Sequence, residues 1–585
     1  MIRPPATTAP LSLVGLRGWL ASAAFLLLAS CASAPAAAPP TAPPDARVPV
    51  EAGGIPADTV GAALAPASPA PREAPASWHL LDAELDGVEG ASVTRAKEDI
   101  LAGRRPERVV VVAIIDSGVD TTHVALRPRL WQNPGERGGT GLDDDGNGYA
   151  DDVRGWNFLG APDGASVAED TWEVTRLHAL CTTPEAAPVA PPPLPDPQTC
   201  ASVSEDFEAR VAEARGFLAN VEGIARALET VVPMLERAVG DSLTPTNVTA
   251  LVPRDRQVQE ARSFYLQLAE LGATPADVRD AMDELRTQLA FKLNPEFDPR
   301  PTVGDDYTDS TQRLYGNPDV VGPDASHGTH VAGIVTSVFG DDAEAGVRIM
   351  SIRAVPDGDE RDKDIANAIR YAVDNGAHVI NMSFGKDYSP QKAVVDAAVR
   401  YADERGVLLV HAAGNEGRNL ADGPAFPSRD YLDGGAAALW LEVGASSWRG
   451  ADTLVAPFSN YGQDQVDLFA PGVDIMSTVP GGGFETNSGT SMAAPLVAGV
   501  AALIMAYFPD LTAADVRDIL LETATRHRDR VVILPGDPMD PEIAGVDPAS
   551  DSAPFQALSR SGGVLNARAA LQRAAELAGR DPARE

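Results

Sequence analysis

The 585-residue sequence predicts an α/β domain with a central, mostly parallel sheet flanked by helices, interrupted by an inserted helical subdomain. Residues 109–115 form a continuous apolar run ending at Asp116, which is typical of a strand buried on both faces of a parallel sheet. Residues 347–384 read as strand, helix and strand, and this alternation favours parallel strands joined by right-handed crossovers. Apolar side chains recur at helical spacing over residues 206–239, 255–271 and 275–293 and predict three inserted helices, the last of them capped by Thr274 with Pro275 at its first position.

The first thirty residues have the features of an export signal. A positively charged start precedes the apolar core 20–28, which is too short to span a membrane. Residues 28–31, Leu-Ala-Ser-Cys, resemble a bacterial lipobox, in which Cys31 would be lipidated and become the first mature residue. The alternative is an ordinary signal cut nearby, after Ala32 or Ala34. The lipobox reading predicts an outer-membrane-anchored lipoprotein that faces the periplasm or the cell exterior.

The composition supports an exported protein and argues against nucleic-acid binding. Lys and Arg number 47 against 83 acidic residues, a net charge of −36, whereas phosphate contacts need clustered cations. Residues 31–77 are rich in Ala and Pro and predict a semi-extended tether. Residues 78–108 contain the first bulky apolar cluster after it and are expected to pack on the main domain as an N-terminal extension. In an oxidising compartment Cys181 and Cys200 could close a disulfide; otherwise they are two free thiols.

Three residues, each in a Gly-rich motif or at a strand end, carry the candidate chemistry. Ser491 lies in N-S-G-T-S-M-A-A-P, just before a small-residue helix, and His327 lies in S-H-G-T-H-V-A-G-I. A serine hydroxyl needs a general base and a group that orients the base. Asp116 stands at the C-terminal end of its predicted strand, where open α/β sheets place their sites.

These motifs resemble the signature blocks of the subtilisin-like serine proteases (subtilases), in the same Asp, His, Ser order. A fourth block, H-A-A-G-N-E-G, is similar to the segment that supplies the family's oxyanion-hole asparagine, here Asn415. The resemblance covers residues 109–159 and 307–571. It implies a three-layer domain and a serine endopeptidase that acts on polypeptides through the triad Asp116, His327 and Ser491.

The resemblance also implies a substrate-binding surface. Its members by motif order are Ser383, Phe384, Gly385, Ala413 and Gly414. Small and apolar linings predict a preference for uncharged, often hydrophobic residues before the cleaved bond; the alternative is that these are core and turn residues. The other histidines, His411 among them, show no comparable set of partners and are interpreted as structural.

An acidic loop follows the first block. Asp143, Asp145, Asn147 and Asp151 fall at alternating positions of a D-x-D-x-N-G pattern in which Tyr149 would ligate through its carbonyl, as in the first part of an EF-hand loop. Subtilases commonly bind structural calcium, so the expected ion is a stabilising calcium and no catalytic metal is expected. A plain acidic turn is the alternative.

The expected organisation is therefore modular. The segments are a signal peptide (1–30), the tether (31–77), the N-terminal extension (78–108), the peptidase domain (109–160 and 301–577), the helical insertion (161–300) and a C-terminal tail (578–585). The insertion is either scaffolding or a lid over the site. An inactive or tightly gated relative, acting as a lipid-anchored peptide-binding or scaffold protein, is the competing function; no oligomeric state is predicted.

Overall fold

The computed structural model describes residues 73–183, 197–340, 346–536 and 551–579. The predicted signal peptide, the lipidation site Cys31 and all but the last residues of the tether lie outside these ranges. Within them the predicted α/β architecture is confirmed.

A nine-stranded sheet forms the centre of the fold, in the order β10-β13-β7-β6-β5-β4-β1-β3-β2. The strands of the protein are β1 (Val110–Asp116), β2 (Gly155–Asn157), β3 (Val347–Arg353), β4 (Val379–Met382), β5 (Leu408–Ala412), β6 (Trp440–Ser446), β7 (Leu468–Pro471), β8 (Ile475–Val479), β9 (Gly483–Asn487), β10 (Thr525–Arg526), β11 (Val531–Ile533), β12 (Ser552–Pro554) and β13 (Gly563–Val564). Every pairing in the large sheet is parallel except that of β10 with β13 at one edge. Strands β8 and β9 form a separate antiparallel hairpin.

Helices cover both faces of the sheet. The α-helices of the described residues are α1 (Ala83–Asp86), α2 (Val93–Asp99), α3 (Glu173–Thr182), α4 (Pro197–Val239), α5 (Pro245–Ala250), α6 (Arg256–Glu270), α7 (Pro275–Thr287), α8 (Ser326–Ser337), α9 (Asp362–Asp374), α10 (Lys392–Glu404), α11 (Thr490–Tyr507), α12 (Ala513–Thr523) and α13 (Ala567–Leu577). Along β1, Val112 and Ile114 join the core with α8 and α11, while Ala113 and Ile115 join the core with α9 and α10. Because alternate residues of a strand face opposite sides, the domain has three layers.

Helix α11 runs through the middle of one layer. It is long and apolar enough to cross a membrane by length and composition, yet 89% of it is buried inside the domain. Burial against the sheet accounts for its small, apolar sequence, so it is a core helix. Its first residues lie at the edge of the sheet where Asp116 ends β1.

The N-terminal extension packs on the same layer, as expected. The Trp78 indole is 1% exposed, and its Nε1–H donates to the carbonyl of Val473 at 2.9 Å. Helix α2 packs against α13, and the Ala567 N–H donates to the carbonyl of Ala91 at 2.8 Å. The N-terminal extension therefore completes the core beside α13, although most of the domain separates the two in sequence.

The insertion consists of α3 to α7 and has small apolar cores of its own. The first long helix begins at Pro197, earlier than the expected residue 206. The last begins as predicted, with Thr274 as its cap and Pro275 at its first position, but its α-helical part ends at Thr287 and is followed by a π-helical turn over Gln288–Lys292. The sequence pattern had suggested an unbroken helix to residue 293.

Candidate active site

The proposed acid and base lie side by side at the C-terminal edge of the sheet. Asp116 ends β1, and His327 lies in the first turn of α8; its Nδ1 is 2.8 Å from Oδ1 of the carboxylate. A Cβ on Gly328 would lie 2.2 Å from the carbonyl oxygen of Gly118 and 3.1 Å from the Cβ of Asp116. Only glycine therefore lets α8 approach the strand end so closely.

The pairing sets the protonation of the imidazole. Burial lowers the pKa of His327, but the charge of Asp116 and its hydrogen bond raise it, and the net pKa is above the ordinary value. The His327 side chain remains 41% exposed, whereas Asp116 is buried. A carboxylate acceptor at Nδ1 favours the tautomer that leaves Nε2 free to accept a proton.

The candidate nucleophile stands at the start of a neighbouring helix. Ser491 is the second residue of α11, which packs against α8. The Ser491 hydroxyl donates to the carbonyl of Ser383 at 3.2 Å, and the Ser383 hydroxyl donates to the carbonyl of Ser491 at 3.0 Å. Within the described residues no hydrogen bond joins Ser491 to His327. Catalytic hydrogen bonds are often loose in free enzymes and tighten when substrate binds.

Two N–H donors surround one point beside the serine. A Cβ placed on Gly489 would lie 3.6 Å from Nδ2 of Asn415 and 3.6 Å from the backbone nitrogen of Ser491. The Asn415 Oδ1 accepts from the backbone N–H of Thr490 at 2.9 Å and from its hydroxyl at 3.0 Å. Because the amide oxygen is held in this way, the Nδ2 amino group is left to face the space near the nucleophile. The N–H of Ser491 is among the first four of α11, which have no intrahelical acceptor.

Thr490 is a site residue that the sequence reasoning missed. It is fully buried, and its Oγ also accepts from the backbone N–H of Gly414 at 3.1 Å. One side chain thus fixes both the asparagine and the loop after β5 that carries it. The signal available in the sequence was a hydroxyl residue directly before the serine, but such residues are common in turns.

A cavity of about 300 Å³ opens beside Ser491 and Asn415. Its walls combine the segment after β4 that contains Phe384 and Gly385, the H-A-A-G-N-E-G block around Asn415, and two residues of the insertion. The lining residues are Trp172, Arg210, Asp359, Phe384, Gly385, Lys386, Asp387, Ala412, Gly414, Asn415, Glu416, Arg418, Ala425, Thr490 and Ser491.

The cavity differs from the predicted one in composition. Of the five predicted substrate-binding residues, Phe384, Gly385 and Gly414 line it, whereas Ser383 is not among its lining residues. Ala413 lies behind the wall in an apolar core, and its neighbour Ala412 lines the cavity instead. Charged side chains from more distant segments make the lining polar, so the expectation of small and apolar walls is wrong. Burial raises the pKa of one of them, Asp359, to about 6.

His411 holds the backbone of Phe384, in the segment after β4, from the inner side. Its imidazole is fully buried, with Nδ1 2.8 Å from Oε1 of Glu442 and Nε2 2.8 Å from the carbonyl oxygen of Phe384. The carboxylate and the carbonyl both require a donor, so a proton is held between the two side chains while Nε2–H donates to the strand. Glu442 also accepts from the indole N–H of Trp440 at 2.8 Å. His411 therefore has buried hydrogen-bond partners that the sequence did not reveal.

The acidic loop gathers part of the predicted ligand set. Oxygens of Asp143 and Asp145 lie within 4.8 Å of one another and of Glu136, which was not predicted. The Asp151 carboxylate instead accepts the N–H groups of Thr140 and Gly141 at 3.0 and 2.8 Å. A carboxylate trio is chemically suited to calcium.

Two further sequence interpretations can be placed. Cys181 and Cys200 are joined in a disulfide that ties α3 to α4. His330 is fully buried and its Nε2 lies 3.1 Å from the carbonyl oxygen of Glu485, while burial lowers its pKa to about 4. It is a packing residue inside helix α8.

Comparison with known proteins agrees with this geometry. The family model described as Peptidase S8, subtilase family, matches residues 107–547. The chain is 40% identical over 219 residues to a thermophilic serine proteinase of Bacillus sp. (strain AK1), covering 36% of this chain and 48% of that protein. It is 37% identical over 204 residues to subtilisin BL of Lederbergia lenta, covering 34% of this chain and 70% of that protein. The chain belongs to the subtilase family.

The extent of these matches differs among relatives. The chain spans about half the length of the thermophilic serine proteinase and 23% of a cell wall-associated protease of Bacillus subtilis (strain 168), to which it is 38% identical over 225 residues. A cold-adapted subtilisin-like serine proteinase of known structure is 31% identical, with a TM-score of 0.31, and covers 36% of this chain and 72% of that one.

Proposed function

We propose that the protein is an exported serine endopeptidase that cleaves polypeptides through Asp116, His327 and Ser491. The observation that carries the proposal is the 2.8 Å contact between Asp116 and His327. His327 lies on α8, which packs against α11, the helix that begins with Thr490 and Ser491; Thr490 in turn bonds to Asn415 in the loop after β5. Family membership and the serine proteinases among the relatives support the same activity.

In the proposed reaction Ser491 attacks the scissile carbonyl while His327 Nε2 accepts the hydroxyl proton. Asp116 stays ionised, keeps the proton of Nδ1 in place and stabilises the imidazolium that forms. His327 then returns the proton to the leaving amine, and the acyl-enzyme is hydrolysed by water activated in the same way. The raised pKa of His327 fits a base that must hold this proton during the reaction.

Asn415 and the backbone N–H of Ser491 would stabilise the tetrahedral oxyanion. Both nitrogens lie 3.6 Å from the same point above Gly489, which bears no side chain that could fill the space. Donors fixed before the reaction need no reorganisation when charge develops on the substrate oxygen. Thr490 would act as a positioning residue because it holds the amide of Asn415.

The test is covalent labelling of the purified protein with a fluorophosphonate probe, together with casein hydrolysis. We expect the probe to label Ser491 and casein to be cleaved, and both signals to disappear in Ser491→Ala. Ser202→Ala, an exposed serine on α4, is the matched control and should keep both. A folded wild-type protein that neither reacts with the probe nor cleaves casein would refute the proposal and favour the gated or peptide-binding alternative.

We also propose that the chain is anchored by lipid at Cys31, on the basis of the lipobox resemblance. Expression in a Gram-negative host with a clickable fatty acid tests this directly. Label should be incorporated by the wild type and lost in Cys31→Ala, and the wild type should partition into detergent. Label-free, fully soluble wild-type protein would show an ordinary signal cut instead.

The acidic loop is proposed to hold a structural calcium. Glu136, Asp143 and Asp145 would supply its carboxylate ligands, and the ion would cross-link the loop. Several oxygens of the loop already accept backbone N–H groups, such as that of Gly148 on Asp143 at 2.8 Å. The loop is therefore organised before any ion binds, and calcium would reinforce it.

A further inference from the structure

The insertion contacts residues 386–388, which directly follow the predicted substrate-binding residues 383–385. Three consecutive residues make the contacts: Lys386 with Glu173 at 2.9 Å, Asp387 with Arg210 at 2.8 Å, and Tyr388 with Asp206 at 2.9 Å. The first of these pairs is almost completely buried, with side chains 2% and 4% exposed. The insertion is thus built onto the same backbone segment that supplies Ser383, Phe384 and Gly385, and its position is coupled to that of the site.

Arg210 of α4 lines the cavity that contains Ser491. Its Nε donates to Asp206 at 2.9 Å and its Nη2 donates to Asp387 at 2.8 Å. Within the described residues Nη1 makes no hydrogen bond, and the side chain is 30% exposed. The guanidinium is therefore held rigidly by two carboxylates and retains one pair of donors for a substrate.

Trp172 completes this part of the wall. The Arg210 guanidinium lies 5.8 Å from the centroid of the indole, and the ring is half-buried against the apolar cluster of α3 and α4. Arg418, on the other side, donates to the second oxygen of Asp387 at 3.1 Å. Both oxygens of Asp387 are thereby occupied, which leaves this carboxylate little capacity to bind a cation.

The wall lies away from the nucleophile along the cavity. Ser491 bonds to Ser383, and Asp387 follows four residues later, so the two ends are separated by at most about 14 Å of chain. Arg210 pairs with Asp387 and not with the residues that contact Ser491, so a long side chain is better suited than a short one to reach it from the scissile bond.

We propose that the helical insertion forms the specificity wall of this protease, with Arg210 selecting a long neutral side chain that ends in a carbonyl acceptor, of the glutamine type, before the cleaved bond. This inference rests on the proposed function, because it assigns the cavity beside Ser491 to substrate. The charges of the cavity favour a neutral group, because its three basic residues are balanced by three acidic ones: Arg210, Lys386 and Arg418 against Asp359, Asp387 and Glu416. A large apolar side chain would leave the Arg210 donors without water or acceptor, at a cost in binding.

The test compares kcat/KM for peptides that differ only in the residue before the cleaved bond, with Gln, Glu, Lys, Leu and Phe in turn. The wild type should favour Gln over Leu, with Glu second because of repulsion from Glu416. In Arg210→Leu the Gln-to-Leu ratio should fall by about 10-fold, which corresponds to about 1.4 kcal/mol. Arg226→Leu removes an arginine of the same helix, also paired with a carboxylate but outside the cavity, and should keep the wild-type ratio.

Labelling of Ser491 by a fluorophosphonate separates the two proposals. If Ser491 does not react in the wild type, the proposed function fails and this inference fails with it. If Ser491 reacts but the wild type favours Leu or Phe over Gln, the inference is overturned whether or not any variant folds. An unchanged Gln-to-Leu ratio in a labelled Arg210→Leu protein would also overturn it, whereas Arg210→Lys should give an intermediate ratio.

Discussion

Replacement of Thr490 by valine tests how the oxyanion site is held. Valine preserves the shape of the side chain in a position with no exposure, but it removes the hydroxyl. Two hydrogen bonds are lost: the 3.0 Å donation to Asn415 and the 3.1 Å donation from the N–H of Gly414. The backbone N–H of Thr490 still holds the asparagine oxygen at 2.9 Å.

The expected loss follows from this count. A neutral hydrogen bond contributes about 1 kcal/mol, and the unpaired N–H of Gly414 adds a desolvation cost in the loop that carries Asn415. A total of about 1–2 kcal/mol in the transition state corresponds to roughly a 5- to 30-fold fall in kcat. This is less than the 10²–10³-fold loss on removal of the oxyanion asparagine, a figure measured on subtilisin, a member of this family.

The assay is turnover of a chromogenic peptide, with active enzyme counted by fluorophosphonate titration. KM should change little, Thr490→Ser should restore most of kcat, and Asn415→Ala should lose more than Thr490→Val. Thr336→Val, a buried threonine whose hydroxyl bonds within α8, is the matched control for lost stability. A kcat within twofold of wild type in Thr490→Val would show that the hydroxyl does not position Asn415.

Two further predictions concern protons and metal. In Asp116→Asn the pKa of His327 should fall, because burial lowers it and the opposing charge is gone. The acid limb of the kcat/KM profile should then move to lower pH, and kcat should drop by roughly 10⁴-fold. The native pair stabilises the fold below the ordinary pKa of 6.5 and loses this contribution as pH rises through the raised pKa, so the unfolding free energy of the variant should differ from wild type mainly at acid pH. Calcium at 100 times its Kd should stabilise the fold by about 2.7 kcal/mol and raise Tm, and EDTA should reverse this increase. Glu136→Gln should reduce the increase in Tm, whereas Glu205→Gln on α4 should leave it intact. A Tm indifferent to calcium and EDTA would rule out the ion.

The sequence predicts the central strand β1 and the start of α7 because each is encoded locally. The apolar run before Asp116 indicates a buried strand from its own residues alone, and β1 is buried along its whole length. Thr274, which caps α7, and Pro275 at its first position likewise act within one helical turn. These features need no knowledge of the remaining chain.

The composition of the cavity could not be predicted, because it depends on contacts between distant segments. Arg210 and Asp387 are 177 residues apart in sequence, and only the fold brings them together. The same holds for His411 and Glu442, which are 31 residues apart on adjacent parallel strands and meet through the register of β5 with β6. The motif blocks indicate where the backbone of the site runs, whereas the side chains that complete it come from elsewhere.

The way the insertion is attached determines which experiment can reveal its role. Removal of residues 201–292 would take Phe207 and Val203 out of the cluster that buries Val174 and Leu177, and would expose this apolar surface. Each fully buried side chain of this size contributes about 1.5–3 kcal/mol, so the loss would approach the total stability of an ordinary domain. Such a deletion would abolish activity whether the insertion is a scaffold or a specificity wall. Arg210→Leu changes the cavity while leaving that cluster in place, and therefore it can distinguish the two roles.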